Sequence, residues 1–439
     1  MYTENDNERF YFWRYVMKKR IALLLAFTLA ITACIGCGKK DESDNKNTTI
    51  SNTKDQGSDS QTEEVEPSKP EYAITAVSAD GYDYFEGSVE CIQITDGTHE
   101  ALAKAMDDFF SGRVSNFNEG IDKQNDEAKQ MNEEQKEYAD EEGFEYEPMK
   151  YSETQTVSVV RADENILSFV IDTSYYNGGA HGSSLLEGFT YDVNTGEQLS
   201  ISNYGDESKI AATSKDFIFS TIEGSADIAR DTLFNDDVIS YKSVIEDYFS
   251  GDTLPENYLD HTGITFMFQQ YDIAPYASGI VSFTVPYSEY EDFNEAYLPA
   301  EGFYTEDLSI QGFNEKFDVN NDGTLEDVCL LNTTSDDGSS TYELNVGGAN
   351  VSRILDDYAY ASGTYIHAKD GNYILVSVEG KVILFEVSKG IRELGFIETD
   401  KSVKEIKNGE IVLAEISYEN GGIQWGESET HKYSKAGLE

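Results

Sequence analysis

Apolar positions along this chain recur with two periods. From His99 to about Lys136 they return every three or four residues, at Leu102, Met106, Phe109, Phe110, Val114 and Phe117. That spacing predicts one apolar helix face. Asp122 to Glu145 is dense in charge and reads as the solvated continuation of that helix. Around it the period is two. Tyr72 to Val77 and Gly87 to Ile94 read as strands ahead of the helix. Thr154 to Arg161 and Leu185 to Asp192 alternate, and Asn165 to Tyr176 is nearly continuously apolar, giving three strands after it. Asp192 to Glu197 reads as a tight turn. Helices are expected over Ser208 to Thr221 and Asp236 to Phe249. A strand pair is expected over Thr265 to Tyr271 and Gly279 to Val285, around the turn at Ala274, Pro275 and Tyr276. Helices and strands segregate, which predicts an α+β class with antiparallel sheets.

After Phe303 the texture becomes short strands. Candidates are Asp327 to Leu331, Thr341 to Val346, Tyr365 to Ala368, Tyr373 to Val378, Lys381 to Val387, Leu394 to Glu398 and Ile411 to Ser417. Gly, Asp or Asn separates them, the spacing of an all-β unit such as a sandwich or a propeller fragment. The expected division is a leader over residues 1–37, a polar spacer over 38–70 and α+β regions over 71–200 and 201–300. A β-rich module over 301–439 completes it.

The leader holds a basic cluster (Lys18, Lys19, Arg20) and then thirteen apolar-rich residues from Ile21 to Ala33. A membrane-spanning helix needs about 20 such residues, so this run reads as a signal-peptide core. It ends in Ile31-Thr32-Ala33-Cys34, which resembles the lipobox of bacterial lipoproteins. That resemblance implies diacylation of Cys34, with Cys37 the alternative, and two acyl chains hold a protein stably on a bilayer. The expected location is the outer face of the bacterial cytoplasmic membrane, with the spacer lifting the folded part away from it. Met17 is an alternative start.

Charge narrows the partners. The formal charge is −51, and loss of residues 1–33, with five basic and three acidic side chains, takes it to −53. No basic surface survives on that scale, which excludes nucleic acid, while cationic partners are drawn in. Aromatic residues make up 12% of the chain, too many for a disordered acidic protein. Only Cys91 and Cys329 follow the leader, so no disulfide frame or zinc spacing exists.

Two patterns bear candidate chemistry. Tyr175-Tyr176-Asn177-Gly178-Gly179-Ala180-His181-Gly182 is a glycine-rich loop between strands. It is preceded by Leu167-Ser168-Phe169. It is followed by Phe189 to Gly196, by Gln270-Tyr271-Asp272-Ile273-Ala274-Pro275-Tyr276-Ala277-Ser278-Gly279, and by Val281 to Tyr287. In that order the motifs resemble the extracellular region of RsiV-type, lysozyme-binding anti-sigma factors and the domains that accompany PdaC-type peptidoglycan deacetylases. The resemblance covers roughly residues 72–292. It implies an α+β fold and a binding role, with lysozyme or peptidoglycan-related material as ligand and Tyr176, Asn177, Gly178, Gly179 and His181 as the binding loop. The metal-binding Asp and His residues of a polysaccharide-deacetylase domain have no counterpart in this sequence, so a non-enzymatic protein is expected. His181 has two readings, a ligand or base and a turn residue that hydrogen-bonds its own loop.

The second pattern is Asp318-Val319-Asn320-Asn321-Asp322-Gly323-Thr324-Leu325-Glu326-Asp327. Oxygen side chains at the first, third and fifth positions and glycine at the sixth suit a hard cation. Position twelve is Cys329, so the motif is not a complete EF-hand. It looks more like the Asp-rich calcium loops of integrin-type β repeats, which would make Asp318, Asn320, Asp322, Thr324, Glu326 and Asp327 ligands of Ca²⁺. A metal-free Asn/Asp/Gly turn is the other reading.

Overall fold

The computed structural model describes residues 68–224, 233–235, 240–251, 253–299, 302–308, 315–322, 325–335, 338–355, 359–419 and 422–439. The first sheet holds β1 (Tyr72–Ser78), β2 (Phe85–Ile94), β3 (Tyr151–Ala162), β4 (Ile166–Tyr176) and β5 (Ser183–Asp192), in that order across the sheet. Its pairs are antiparallel except β2 with β3, which run parallel. The reason is α1 (Glu100–Glu142), the long helix that joins them as a crossover.

The first half of α1 lays Leu102, Met106 and Phe110 on Ile92, Leu167, Phe169 and Ile171 of the sheet. Phe109 sets its ring edgewise on Phe169 and Phe189. Each such side chain contributes about 1.5–3 kcal/mol by leaving water. The helix runs six residues beyond its expected end at Lys136. Its charged half keeps a narrow buried stripe of Ala128, Asn132 and Ala139, and Gly143 closes it in the left-handed region at φ 78°.

The second α+β region contains α2 (Ile201–Tyr204), α3 (Glu207–Gly224) and α4 (Tyr241–Ser250) over a sheet of β6 (Glu256–Leu259), β7 (Gly263–Phe268) and β8 (Val281–Pro286). Every residue of β7 and β8 is buried. Ile264, Phe266, Phe268, Val281, Phe283 and Val285 face the helices. On the opposite face Met267 meets Val160 and Val170 of the first sheet, so the two α+β regions share packing. The four-residue β6 was too short to show a period in the sequence.

From Tyr304 onward the elements among the described residues are all strands. β9 (Tyr304–Asp307), β14 (Ser362–Ala368), β15 (Gly371–Val378), β16 (Lys381–Glu386) and β17 (Arg392–Glu398) form a five-stranded sheet with β9 and β17 outermost. One neighbouring sheet is β10 (Glu315–Phe317), β11 (Glu326–Thr334), β12 (Ser340–Val346) and β13 (Ala349–Leu355). The other is β18 (Ser402–Lys407), β19 (Glu410–Glu419), β20 (Gly422–Ser434) and β21 (Gly437–Leu438). The five-stranded sheet is covered on both faces. Tyr365, Ile374, Val376, Ile383 and Phe385 pack with Phe317, Tyr342 and Leu344. Ile366, Tyr373, Leu375, Val382 and Leu384 pack with Ile411, Leu413 and Tyr433. Burial on both faces explains why β15 and β16 read as unbroken apolar runs. The class is thus α+β with an all-strand C-terminal module, as the patterning predicts.

Candidate functional site

The glycine-rich loop is the connection between β4 and β5. Gly178 (φ 81°) and Gly179 (φ 114°) occupy backbone conformations that a side chain resists. The Tyr176 hydroxyl donates to the Gly179 carbonyl at 3.0 Å and so closes the loop. Asn177 and His181 are exposed. His181 donates from Nδ1 to the Gly182 carbonyl at 2.8 Å, which leaves its ring face open for stacking.

That face is covered from the other α+β region. The His181 ring stacks on Tyr276, with centroids 4.0 Å apart and planes 29° from parallel. Tyr276 opens the short 3-10 turn Tyr276–Ser278 after Pro275. Tyr271 lies 5.9 Å from Tyr276, ring to ring, and holds φ at 68°, a strained value for a bulky residue. Side chains lock this segment in place. Asp272 accepts from the Gln269 backbone N–H and from the Tyr248 hydroxyl.

Gln269 brackets Leu186, accepting from its N–H and donating to its carbonyl, and Gln270 accepts from the Ser184 N–H. Both glutamines thus act as a short strand along the edge of β5 and satisfy backbone groups that would otherwise lack partners. The outcome is one surface made of the β4–β5 loop and the turn between β7 and β8. The sequence contains both segments as separate motifs, and the fold brings them together.

The Asp-rich segment is held differently. Asp318 Oδ1 accepts from the Asp322 N–H, and Asn321 takes φ 60°. Glu326 accepts from the Val319 N–H at 3.0 Å and from Asn320 Nδ2 at 2.9 Å. Partial burial pushes the Glu326 carboxyl up, against the pull of the Val319 N–H. Beneath the loop, Asn372 donates to the Asp318 and Val319 carbonyls and to Asn321 Oδ1. Asp327 is exposed, and Thr324 lies outside the described residues. Among the described residues, no three His, Cys, Asp or Glu side chains gather as a metal-binding group. Oxygen donors of this segment, backbone included, are of the hard type that Ca²⁺ takes.

Cys34 and Cys37 also lie outside the described residues. Cys91 on β2 and Cys329 on β11 are half-buried. No helix of the described residues is long and apolar enough to cross a membrane.

A buried polar network at the junction with the β module escaped the sequence reading. Arg161 on β3 is fully buried. It pairs with Asp163 at 2.6 Å and donates to the Tyr287 hydroxyl and to the Tyr297 and Asp260 carbonyls. Asp260 accepts from the Thr262 and Gly263 N–H groups and from the Thr262 and Thr265 hydroxyls. Next to it, His261 stacks on Tyr304, with centroids 4.3 Å apart, and Tyr304 stacks on His367 at 4.8 Å. Burial, and then the Arg161 charge, push His261 down to about 3. The only sequence signal for this network was a single arginine at the end of an alternating strand.

A family model described as "Deacetylase PdaC" matches residues 79–184, and one described as "Protein of unknown function (DUF3298)" matches residues 212–288. Solved structures that share similarity include two of the DUF3298 family. A member of the DUF3298 family from Bacteroides fragilis is 18% identical, over 52% of this chain and 96% of that one, with a TM-score of 0.39. A DUF3298 family protein from Pseudomonas aeruginosa PAO1 is 13% identical, over 54% and 99%, with a TM-score of 0.32. No curated protein matches the chain. The chain therefore carries a PdaC-type region followed by a DUF3298-type region, and His181 of the first stacks on Tyr276 of the second.

Proposed function

We propose that this protein is a lipid-anchored, non-enzymatic binding protein of the bacterial envelope. Its ligand is cationic lysozyme or peptidoglycan-related material, taken up at the His181–Tyr276 surface. The observation that carries this reading is the 4.0 Å stack of His181 on Tyr276, which fuses the two family-matched regions into one aromatic surface. Aromatic faces of this kind take up cationic side chains and sugar rings alike, and a formal charge of −51 favours a cationic partner. Anchoring rests on acylation of Cys34 or Cys37, which mass spectrometry of the membrane-extracted protein reads directly. Calcium at the Asp318 to Asp327 loop belongs to the same proposal, as a brace for the β module.

The test is capture of the full chain on immobilised lysozyme and on purified cell wall, at low and at physiological salt. Retention on one of them at physiological salt supports a specific site, because diffuse attraction is screened there. His181→Ala and Tyr276→Ala should lose that retention. The matched description "Deacetylase PdaC" favours a second reading, an enzyme acting on wall polymers. Release of acetate from acetylated wall polymer by the purified protein would select it.

A further inference from the structure

We propose that the far end of α1 is a docking surface for an arginine-rich polypeptide segment. The surface centres on two rings. Tyr138 is 55% exposed and Phe144 is 51% exposed, and they meet edge to face with centroids 5.9 Å apart. Tyr138 stands on the helix, and Phe144 follows the closing Gly143. The Gly143 and Phe144 N–H groups both bond back to the Ala139 carbonyl, which turns the chain and sets the second ring against the first. A helix end that only faces water has no need of two large rings held in contact.

Carboxylates surround the rings. Eight of the fifteen residues 133–147 are acidic and one, Lys136, is basic. Helix neighbours lie three and four positions apart, which sets Glu134, Glu141 and Glu142 beside Tyr138. Lys136 is two positions from Tyr138 and faces elsewhere. Among the described residues none of the eight acids is in an ion pair, and Lys150 beyond them pairs with Glu86. The last turn of α1 has acids and no basic residue, so these carboxylates stand at the negative end of the helix dipole. Glu137 also faces like charges four positions away on either side, Glu133 and Glu141. The free helix end is thus destabilised by its own charge, and a cationic partner relieves it.

The spread of that charge specifies the occupant. Among the described residues no three acidic side chains gather as a metal-binding group, so the matching cation is spread over several groups of one molecule. The rings select guanidinium over ammonium. A planar guanidinium stacks on an aromatic face and gives a carboxylate two parallel N–H donors at once, which an ammonium cannot do. A polypeptide carries several such groups with apolar atoms between them to cover the ring edges, and a polyamine has no guanidinium at all. The −51 field of the chain gathers the segment, and the rings hold it in register. The surface shares no residue with the His181–Tyr276 surface and does not rest on that reading.

Titration calorimetry of the full chain at physiological salt tests this, where diffuse attraction is screened. The probe is an end-blocked peptide of four Arg-Ala-Ala repeats, with the Lys-Ala-Ala peptide of equal charge and spermine as comparisons. The arginine peptide should bind at least tenfold more tightly than either. The double variant Tyr138→Gln with Phe144→Gln retains every carboxylate, yet it should lose at least tenfold and cease to distinguish arginine from lysine. The triple variant Glu137→Gln, Glu141→Gln, Glu142→Gln should also lose at least tenfold while its thermal midpoint stays level or rises, which separates lost binding from misfolding. Removing the same charge from the β module, with Glu379→Gln, Glu398→Gln and Asp400→Asn, should leave binding within about twofold. Equal binding of the arginine and lysine peptides overturns the proposal. Wild-type binding by the double variant does so too, as does an equal loss in both triple variants. His181→Ala should bind the arginine peptide as the wild type does, so the two surfaces stand or fall separately.

Discussion

His261 donates from Nδ1 to the Glu306 carboxylate at 2.6 Å, joining the turn after β6 to strand β9 across the junction of the α+β part with the β module. Glu306 also accepts from the His261 backbone N–H, so one carboxylate fixes both ends of the residue. A neutral imidazole makes this bond, with the proton on Nδ1. Burial and the neighbouring Arg161 hold His261 at about 3, whereas an exposed histidine titrates near 6.5.

Below pH 6.5 the unfolded chain therefore takes up a proton that the folded chain refuses until about pH 3. Stability supplied by the neutral ring is complete above pH 6.5 and falls as the pH drops through that window. The slope is roughly 1.4 kcal/mol per pH unit for one proton. His367 in the same stack is also pushed down by burial and acts in the same direction. Urea midpoints at pH 7.5, 6.0 and 5.0 should fall steadily for the wild type. His261→Gln, which retains a donor toward Glu306, should have a shallower dependence. Parallel curves for the two proteins would refute the assignment.

Asn132 explains how the charged half of α1 remains docked. Its amide donates to the Ala128 and Met149 carbonyls, and its carbonyl accepts from the Met149 N–H and the Tyr146 hydroxyl. All its hydrogen-bonding capacity is used. Asn132→Ala leaves the Met149 backbone groups and the Tyr146 hydroxyl without it, at about 1–3 kcal/mol for each group that stays buried. Hydrogen exchange should then accelerate from about Ala128 to Met149 while β4 remains protected. Uniform acceleration over the whole α+β part would count against a local role.

The contrast between legible and illegible features follows from range. Leu102, Met106 and Phe110 declare the helix because their spacing is local. The strands of the central β sheet declare themselves because both faces are buried. β13, with most of its side chains exposed, has almost no pattern to read, and β20 is largely polar and takes its shape from pairing with β19. Tyr176 to Gly182 and Tyr271 to Tyr276 were each visible as turn chemistry, but their meeting depends on Gln269 and Gln270 gripping β5 more than eighty positions upstream. The His261–Glu306 bond spans 45 positions and joins two residues with no local distinction.

Gly188 sits where β5 meets β6. A Cβ built there would lie 2.7 Å from the Asn257 carbonyl oxygen and 3.0 Å from the Tyr258 ring. The contacted oxygen is backbone, so the strands must separate. Gly188→Ala should destabilise by about 1–3 kcal/mol, as overpacking does. Because the shift opens the seam between the PdaC-type and DUF3298-type regions, the same variant should weaken capture at the His181–Tyr276 surface. Wild-type stability in thermal melts would remove the seam from the argument.

Arg161 is the residue on which the junction most depends. Its charge is compensated by Asp163 and spread over three oxygen acceptors from Asp260, Tyr287 and Tyr297. Removing one partner of a buried pair costs about 3–5 kcal/mol, whereas replacing both by matched neutral groups costs much less. Arg161→Met should therefore lose about that amount. Asp163 is shielded from part of the loss, because it also accepts from the Asn165 and Ile166 N–H groups. The double variant Arg161→Met with Asp163→Asn should recover part of the deficit, giving a coupling of about 0.5–3 kcal/mol. Arg161 also lowers His261, so Arg161→Met should let the imidazole accept a proton at higher pH. The acid-side loss of stability in that variant should thus be shallower than in the wild type, measured as the difference in urea midpoint between pH 7.5 and 5.0. An unchanged slope beside a large loss of stability would confine Arg161 to packing and separate it from the His261–Glu306 contact.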